Sequence, residues 1–134
     1  MISTDLAAAL REAGLAWHPA SGDRFQLDEP EFDADVFTVS EMTIEPRRYP
    51  TGTILAFNGT TEWALDSVAL DDALWLPRED QLRELLRGAF RSLVRLADTY
   101  RVEIVFAGEE ASFEHPQPED AYALALLHVL RRIA

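Results

Sequence analysis

Apolar residues in this chain recur at two spacings, every third to fourth position in some stretches and every second in others, and the switches between them outline alternating helices and strands. Leu6, Leu10 and Ala13 share one helical face. Ser3 or Thr4 offers a side-chain oxygen to cap that helix, and Gly14 stands where such a helix stops. Ser21, Gly22 and Asp23 predict a turn into a short strand, Arg24–Leu27. Residues 35–45 read as strand, but Phe37 and Val39 fall on one side and Met42 and Ile44 on the other, which predicts a bulge or tight bend near Ser40. Pro46 and Pro50 bracket a connection before a strand over residues 53–57. Asn58-Gly59 then predicts a type I′ hairpin, with residues 60–65 as the return strand, Ile54 opposite Trp63 and Leu55 opposite Glu62. A short helix capped by Thr60 or Thr61 is the alternative.

The second half is dominated by a helical period. Leu82, Leu85, Leu86, Ala89, Phe90, Leu93, Leu96 and Ala97 predict one long amphipathic helix, with Pro77 in its first turn and Glu79 and Asp80 at its positive pole. Residues 101–107 and 110–115 predict a hairpin around Gly108 and Glu109. Pro118 opens a last helix, on which Tyr122, Leu126, Val129, Leu130 and Ile133 form one stripe while Leu124 and Leu127 lie elsewhere on the cylinder. Such a helix is buried on two sides or shared with a second subunit as a homodimer. The expectation is a single α+β domain over residues 1–134. In it, an antiparallel sheet of central meander plus late hairpin is covered by the long helix and the C-terminal helix, with the N-terminal helix at an edge.

Composition narrows the functional classes. With 48% hydrophobic and 27% charged residues, the 134-residue chain has ordinary globular composition and wholesale disorder is excluded. It contains no Cys, so disulfides, thiolate nucleophiles and cysteine-held metals are excluded as well. The net charge of −12 opposes direct binding to nucleic acids and acidic membranes. It is unevenly spread, with 4 Arg against 14 acids in residues 1–77 and 8 Arg against 10 acids beyond. The opening residues lack the pattern of a signal peptide, and the longest apolar run, residues 121–127, is far shorter than the roughly 20 residues of a membrane helix. A soluble, cytoplasmic protein is expected.

Candidate chemistry is sparse. His18, His115 and His128 have no metal-ligand spacing. Asp28, Glu29, Glu31, Asp33 and Asp35 form an acidic loop without the glycine of an EF-hand, so solvated acids are the plainer reading than a cation site. Arg83, Arg87, Arg91 and Arg95 recur every fourth position as a basic stripe, whose simplest role is to neutralise Glu79 and Glu84 of the same helix. Trp63, Asp66, Trp75, Arg78 and Asp80 flank the entry to that helix and combine aromatic surface with both signs of charge, the composition of a binding surface; the plainer alternative is that they seat and cap the helix. Phosphate-loop, dinucleotide and nucleophile-elbow patterns are absent from the sequence. The expectation is a non-enzymatic protein-interaction module without cofactor or metal, acting on an unknown protein partner. A small-ligand binding protein or unrecognised hydrolase with a pocket near Trp63 and Trp75, and an acidic decoy of a nucleic-acid-binding protein, are the alternatives.

Residues 60–68 (TTEWALDSV) and 75–86 (WLPREDQLRELL) resemble a group of small proteins from high-GC Gram-positive bacteria, and the resemblance extends over most of the chain. Some members carry the label of a pilus-assembly ATPase of the CpaE type. That activity needs a phosphate-binding loop, which this sequence lacks. A similar WLP-x-Q-D-Q-L motif occurs in phage-associated proteins. Neither resemblance implies a mechanism or carries over a functional residue.

Overall fold

The computed structural model describes residues 1–28, 35–40, 44–57 and 67–133. Their architecture is α+β, with three helices and three antiparallel three-stranded sheets. The chain falls into two compact units, residues 17–76 and residues 1–16 with 77–134.

In the first of these units, β1 (Arg24–Leu27) is the centre of a sheet flanked by β2 (Phe37–Thr38) and β6 (Ala73–Leu76). The register sets Phe25 opposite Phe37 on one side and Trp75 on the other, so three rings line up across the sheet. Trp17 lies over them, stacked on Trp75 at 6.3 Å between ring centres and tilted on Phe25 at 5.5 Å. These rings pack with Leu27, Val39, Ile44, Leu55 and Ala73 into one core. Each such ring pair adds about 1 kcal/mol beyond the area it buries. The bend expected near Ser40 is present: Ser40 N–H donates to Ile44 O at 2.6 Å, bridging the two residues in antiparallel fashion. Met42 lies outside the described residues.

The second sheet of this unit, β3 (Ile44–Tyr49), β4 (Gly52–Phe57) and β5 (Ser67–Ala69), corrects two expectations. Pro46 does not bracket a connection but sits inside β3 opposite Leu55, and the turn is at Pro50 and Thr51. β3 is an edge strand, where a missing amide costs the ladder nothing. The strand that returns beside β4 is also further along the chain than the Asn58-Gly59 signal implied: Ile54 faces Ala69 rather than Trp63, and Leu55 faces Val68 rather than Glu62. Leu55 is fully buried, so a register with a carboxylate opposite it would place that charge beside the core. Residues 58–66, and with them the strand-or-helix alternative at 60–65, lie outside the described residues.

The other unit starts with α1 (Thr4–Glu12), capped by Ser3, whose side-chain oxygen accepts from Leu6 N–H at 3.3 Å. Gly14, at φ 105°, ends it as expected. The largest departure from the sequence reading follows α2 (Glu79–Leu86). The predicted long helix stops there, turns through residues 87–89 and becomes a strand, β7 (Phe90–Arg95). β7 pairs with β8 (Tyr100–Phe106), which pairs with β9 (Glu109–His115). The ladder explains why the strand looked helical. Phe90 faces Ile104 and Leu93 faces Val102, with a bulge at Arg91, so two residues three apart land on the same side of the sheet. A helix and a bulged strand therefore share one apolar spacing, and Gly88 favours the break. Pro77 accordingly lies outside the helix, one residue before the N-cap Arg78.

The β8–β9 hairpin forms as expected, with its turn one residue earlier, on Ala107 and Gly108. Both have positive φ, 52° and 80°, the requirement of a type I′ turn. Ala pays a steric penalty there that Asn largely avoids. Ala107→Asn is expected to stabilise the fold by about 0.5–1 kcal/mol, read as a higher urea midpoint at constant m.

α3 (Pro118–Ile133) packs on β8, β9, α1 and α2, so its burial on more than one side is accounted for within the unit. Leu127 is only 6% exposed, whereas Ile133 is 67% exposed. α1 rests on α3 rather than at a sheet edge. The meander and the late hairpin belong to separate sheets rather than to one.

Candidate functional site

The five residues singled out by the sequence do not form one described cluster. Trp63 and Asp66 lie outside the described residues. Trp75 is half-buried in the aromatic row of β6, consistent with a packing role, although its indole Nε1 is buried with no hydrogen-bond partner among the described residues. Arg78 and Asp80 belong to the other unit and partner each other at the start of α2, Nε to Oδ1 at 3.2 Å. Arg78 N–H also donates to Gln81 Oε1 at 2.9 Å; Arg offers no acceptor in return, so only one half of a capping box is made.

The hydrogen bond from Arg78 holds the Asp80 carboxyl below the usual carboxylate range. A depressed folded-state pKa contributes stability above the unfolded value of about 3.9 and loses it as pH falls through the folded value. With its side chain 60% exposed, Asp80 is well screened, and the contribution is a few tenths of a kcal/mol. Asp80→Asn is therefore expected to cost that much at neutral pH and nothing near pH ~2, checked by urea unfolding at both pH values.

The basic stripe is redistributed by the break after α2. Arg83 and Arg87 remain at the end of α2, while Arg91 and Arg95 lie on β7. Among the described residues, Arg83 and Arg87 do not form the ion pairs expected with Glu79 and Glu84. Arg83 Nη1 instead donates to Tyr122 Oη at 3.3 Å, with the guanidinium 6.0 Å from the Tyr122 ring centre. That hydrogen bond, with lesser help from Glu79 and Asp80, raises the guanidinium pKa further, so Arg83 stays cationic. Arg83, Glu84, Leu85, Arg87 and Phe90 line an open hollow of about 540 Å³.

The acidic segment acquires neighbours that the sequence did not reveal. Asp28 N–H donates to Asp72 O at 3.0 Å, and β1 and β6 are in register up to Leu27 and Ala73. Asp28, Asp71 and Asp72, all exposed, therefore share one end of the sheet. Glu29, Glu31 and Asp33 lie outside the described residues, and Asp35 is exposed. The three histidines stand apart. His18 is exposed; His128 packs on Phe113 at 5.3 Å between ring centres; His115 Nδ1 accepts from Gln117 N–H at 3.0 Å and lies 3.7 Å from Asp120 Oδ2. Asp120 is a buried carboxylate whose Oδ1 accepts from Ser3 N–H at 2.8 Å, joining the starts of α1 and α3. Among the described residues no group of three or more His, Asp or Glu converges as metal ligands, and no helix is long and apolar enough to cross a membrane. No protein-family model, curated protein or solved structure matches this chain.

Proposed function

We propose that this chain is a non-enzymatic protein-interaction module of the cytosol, and that residues 17–76 present an acidic surface to a basic region of another protein. The observation that carries this reading is the hydrogen bond between Asp28 and Asp72, which gathers Asp28, Asp71 and Asp72 at one exposed end of a sheet. Residues 17–76 contain 12 acids against 3 Arg, so the surrounding field favours cationic partners and speeds their approach. A tagged chain is expected to capture a defined basic partner from native cytosol at low salt and to release it as salt rises. The triple variant Asp28→Asn, Asp71→Asn, Asp72→Asn should lose the capture while keeping its Tm; undiminished capture by that folded variant rejects the reading. If the partner binds nucleic acid and duplex DNA competes for it, the surface serves as a decoy.

A second reading, a small-ligand site beside Trp75, is favoured by the buried indole N–H, which calls for an acceptor. A metabolite that raises the Tm of the parent chain but not that of Trp75→Phe supports it. A homodimer through the Leu124 and Leu127 face of α3 is disfavoured by Leu127, only 6% exposed; one through half-exposed Leu130 and exposed Ile133 is compatible with either reading and would show as a doubled mass by light scattering.

A further inference from the structure

We propose that the hollow between α2 and β7 is a receptor for a small anionic ligand in which a carboxylate or phosphate adjoins an apolar group. Its first support is an exposed guanidinium with a buried anchor. Arg83 is held against Tyr122, which is fully buried, by a hydrogen bond and by its position over the ring, and Phe90 packs on the same ring at 5.7 Å between centres. One of the five N–H donors of Arg83 is engaged by Tyr122, and among the described residues the others remain for a ligand.

Its second support is Arg87. The residue has φ 52° and ψ −131°, the geometry of the first central position of a type II′ turn, where glycine is the natural occupant. Gly88 stands immediately beside it, yet Arg occupies the strained position. The turn is secured by Arg91 Nη1, which donates to Gly88 O and to Phe90 O. Arg87 is exposed and has no ion-pair partner among the described residues. Strain at an exposed cation with no ion-pair partner among the described residues directs attention to a ligand.

The electrostatic balance favours an anion. Two full positive charges face Glu84 and the C-terminal pole of α2, which amounts to about half a negative charge. Paired guanidinia suit carboxylate and phosphate alike, because their N–H forks match both. Leu85 and Phe90 supply the apolar wall, and a volume of about 540 Å³ is that of a small-molecule site.

The inference is independent of the acidic surface, since it uses none of the residues altered in the pull-down. Its test is titration of the isotope-labelled full chain with phenyl phosphate, benzoate and inorganic phosphate, following the amides of Leu85, Arg87, Gly88 and Phe90. Saturable shifts of these amides with millimolar affinity are expected for phenyl phosphate or benzoate, with inorganic phosphate weaker. Tighter phenyl phosphate identifies a phosphoryl ligand, and tighter benzoate a carboxylate. Arg87→Gly is expected to weaken binding at least about tenfold, as for a lost charge-assisted hydrogen bond, while its Tm is no lower than that of the parent chain. The exposed Arg95→Gln serves as control and leaves affinity unchanged. No saturable shift with any probe, neither phenyl phosphate nor benzoate tighter than inorganic phosphate, or full affinity in Arg87→Gly overturns the proposal.

Discussion

Asp23→Ala is expected to lower the unfolding free energy by about 2–3 kcal/mol, because the buried Trp17 indole N–H and the part-buried Ala20 amide lose their acceptor at once. Asp23 is 3% exposed, and its Oδ2 accepts from Trp17 Nε1 at 2.9 Å and from Ala20 N–H at 3.0 Å. Its backbone N–H donates to Ala20 O and its carbonyl accepts from Val39 N–H, so the residue closes the turn before β1 and ties it to the segment after β2. Trp17 in turn covers Phe25 and Trp75. Loss of its anchor would loosen the ring that lids the core. Asp23→Asn keeps an oxygen in the same place and is expected to cost only about 1 kcal/mol. Urea unfolding followed by tryptophan fluorescence separates the two. An Asn variant as unstable as the Ala variant would mean that charge, not the acceptor, matters at this site.

What could be read from the sequence were features enforced within a few residues. Ser3 and Gly14 delimit α1, Pro118 opens α3, and Gly108 marks the β8–β9 hairpin, although its turn falls on Ala107-Gly108 rather than Gly108-Glu109. The same locality made the Arg78–Asp80 pair legible as a charged entry to α2. The errors came where distance decides. β7 looked helical because its bulge reproduces a three-residue apolar spacing, and only its partner β8 distinguishes the two. β4 chose a partner further along the chain than the Asn58-Gly59 signal, since fully buried Leu55 constrains what can lie opposite it. The contacts that organise the candidate sites are likewise remote. Arg83 meets Tyr122 across 39 positions and Ser3 meets Asp120 across 117, and nothing in the local pattern announces either. Asp23 reads as a turn residue, yet its carboxylate, like that of Asp120, is a buried acceptor.

Tyr122→Ala should be more damaging than Asp23→Ala, removing about 3–5 kcal/mol of a total that for a domain of this size is about 5–15 kcal/mol. Tyr122 is 0% exposed and sits on the first turns of α3, where Phe90 packs on its ring and Arg83 crosses above it. Truncation leaves a cavity that α2, α3 and the sheet can only partly close, since each is fixed by its other contacts. Tyr122→Phe keeps the ring and removes only the hydroxyl that accepts from Arg83, so it is expected to cost about 1 kcal/mol or less. The pair of variants separates packing from positioning. The Ala variant should show a markedly lower urea midpoint. The Phe variant should unfold almost as the parent does while Arg83 gains rotational freedom, and its affinity for phenyl phosphate should fall severalfold as that freedom has to be lost on binding. Parental affinity in Tyr122→Phe would show that the ring alone positions Arg83, leaving the hydroxyl no role in the site.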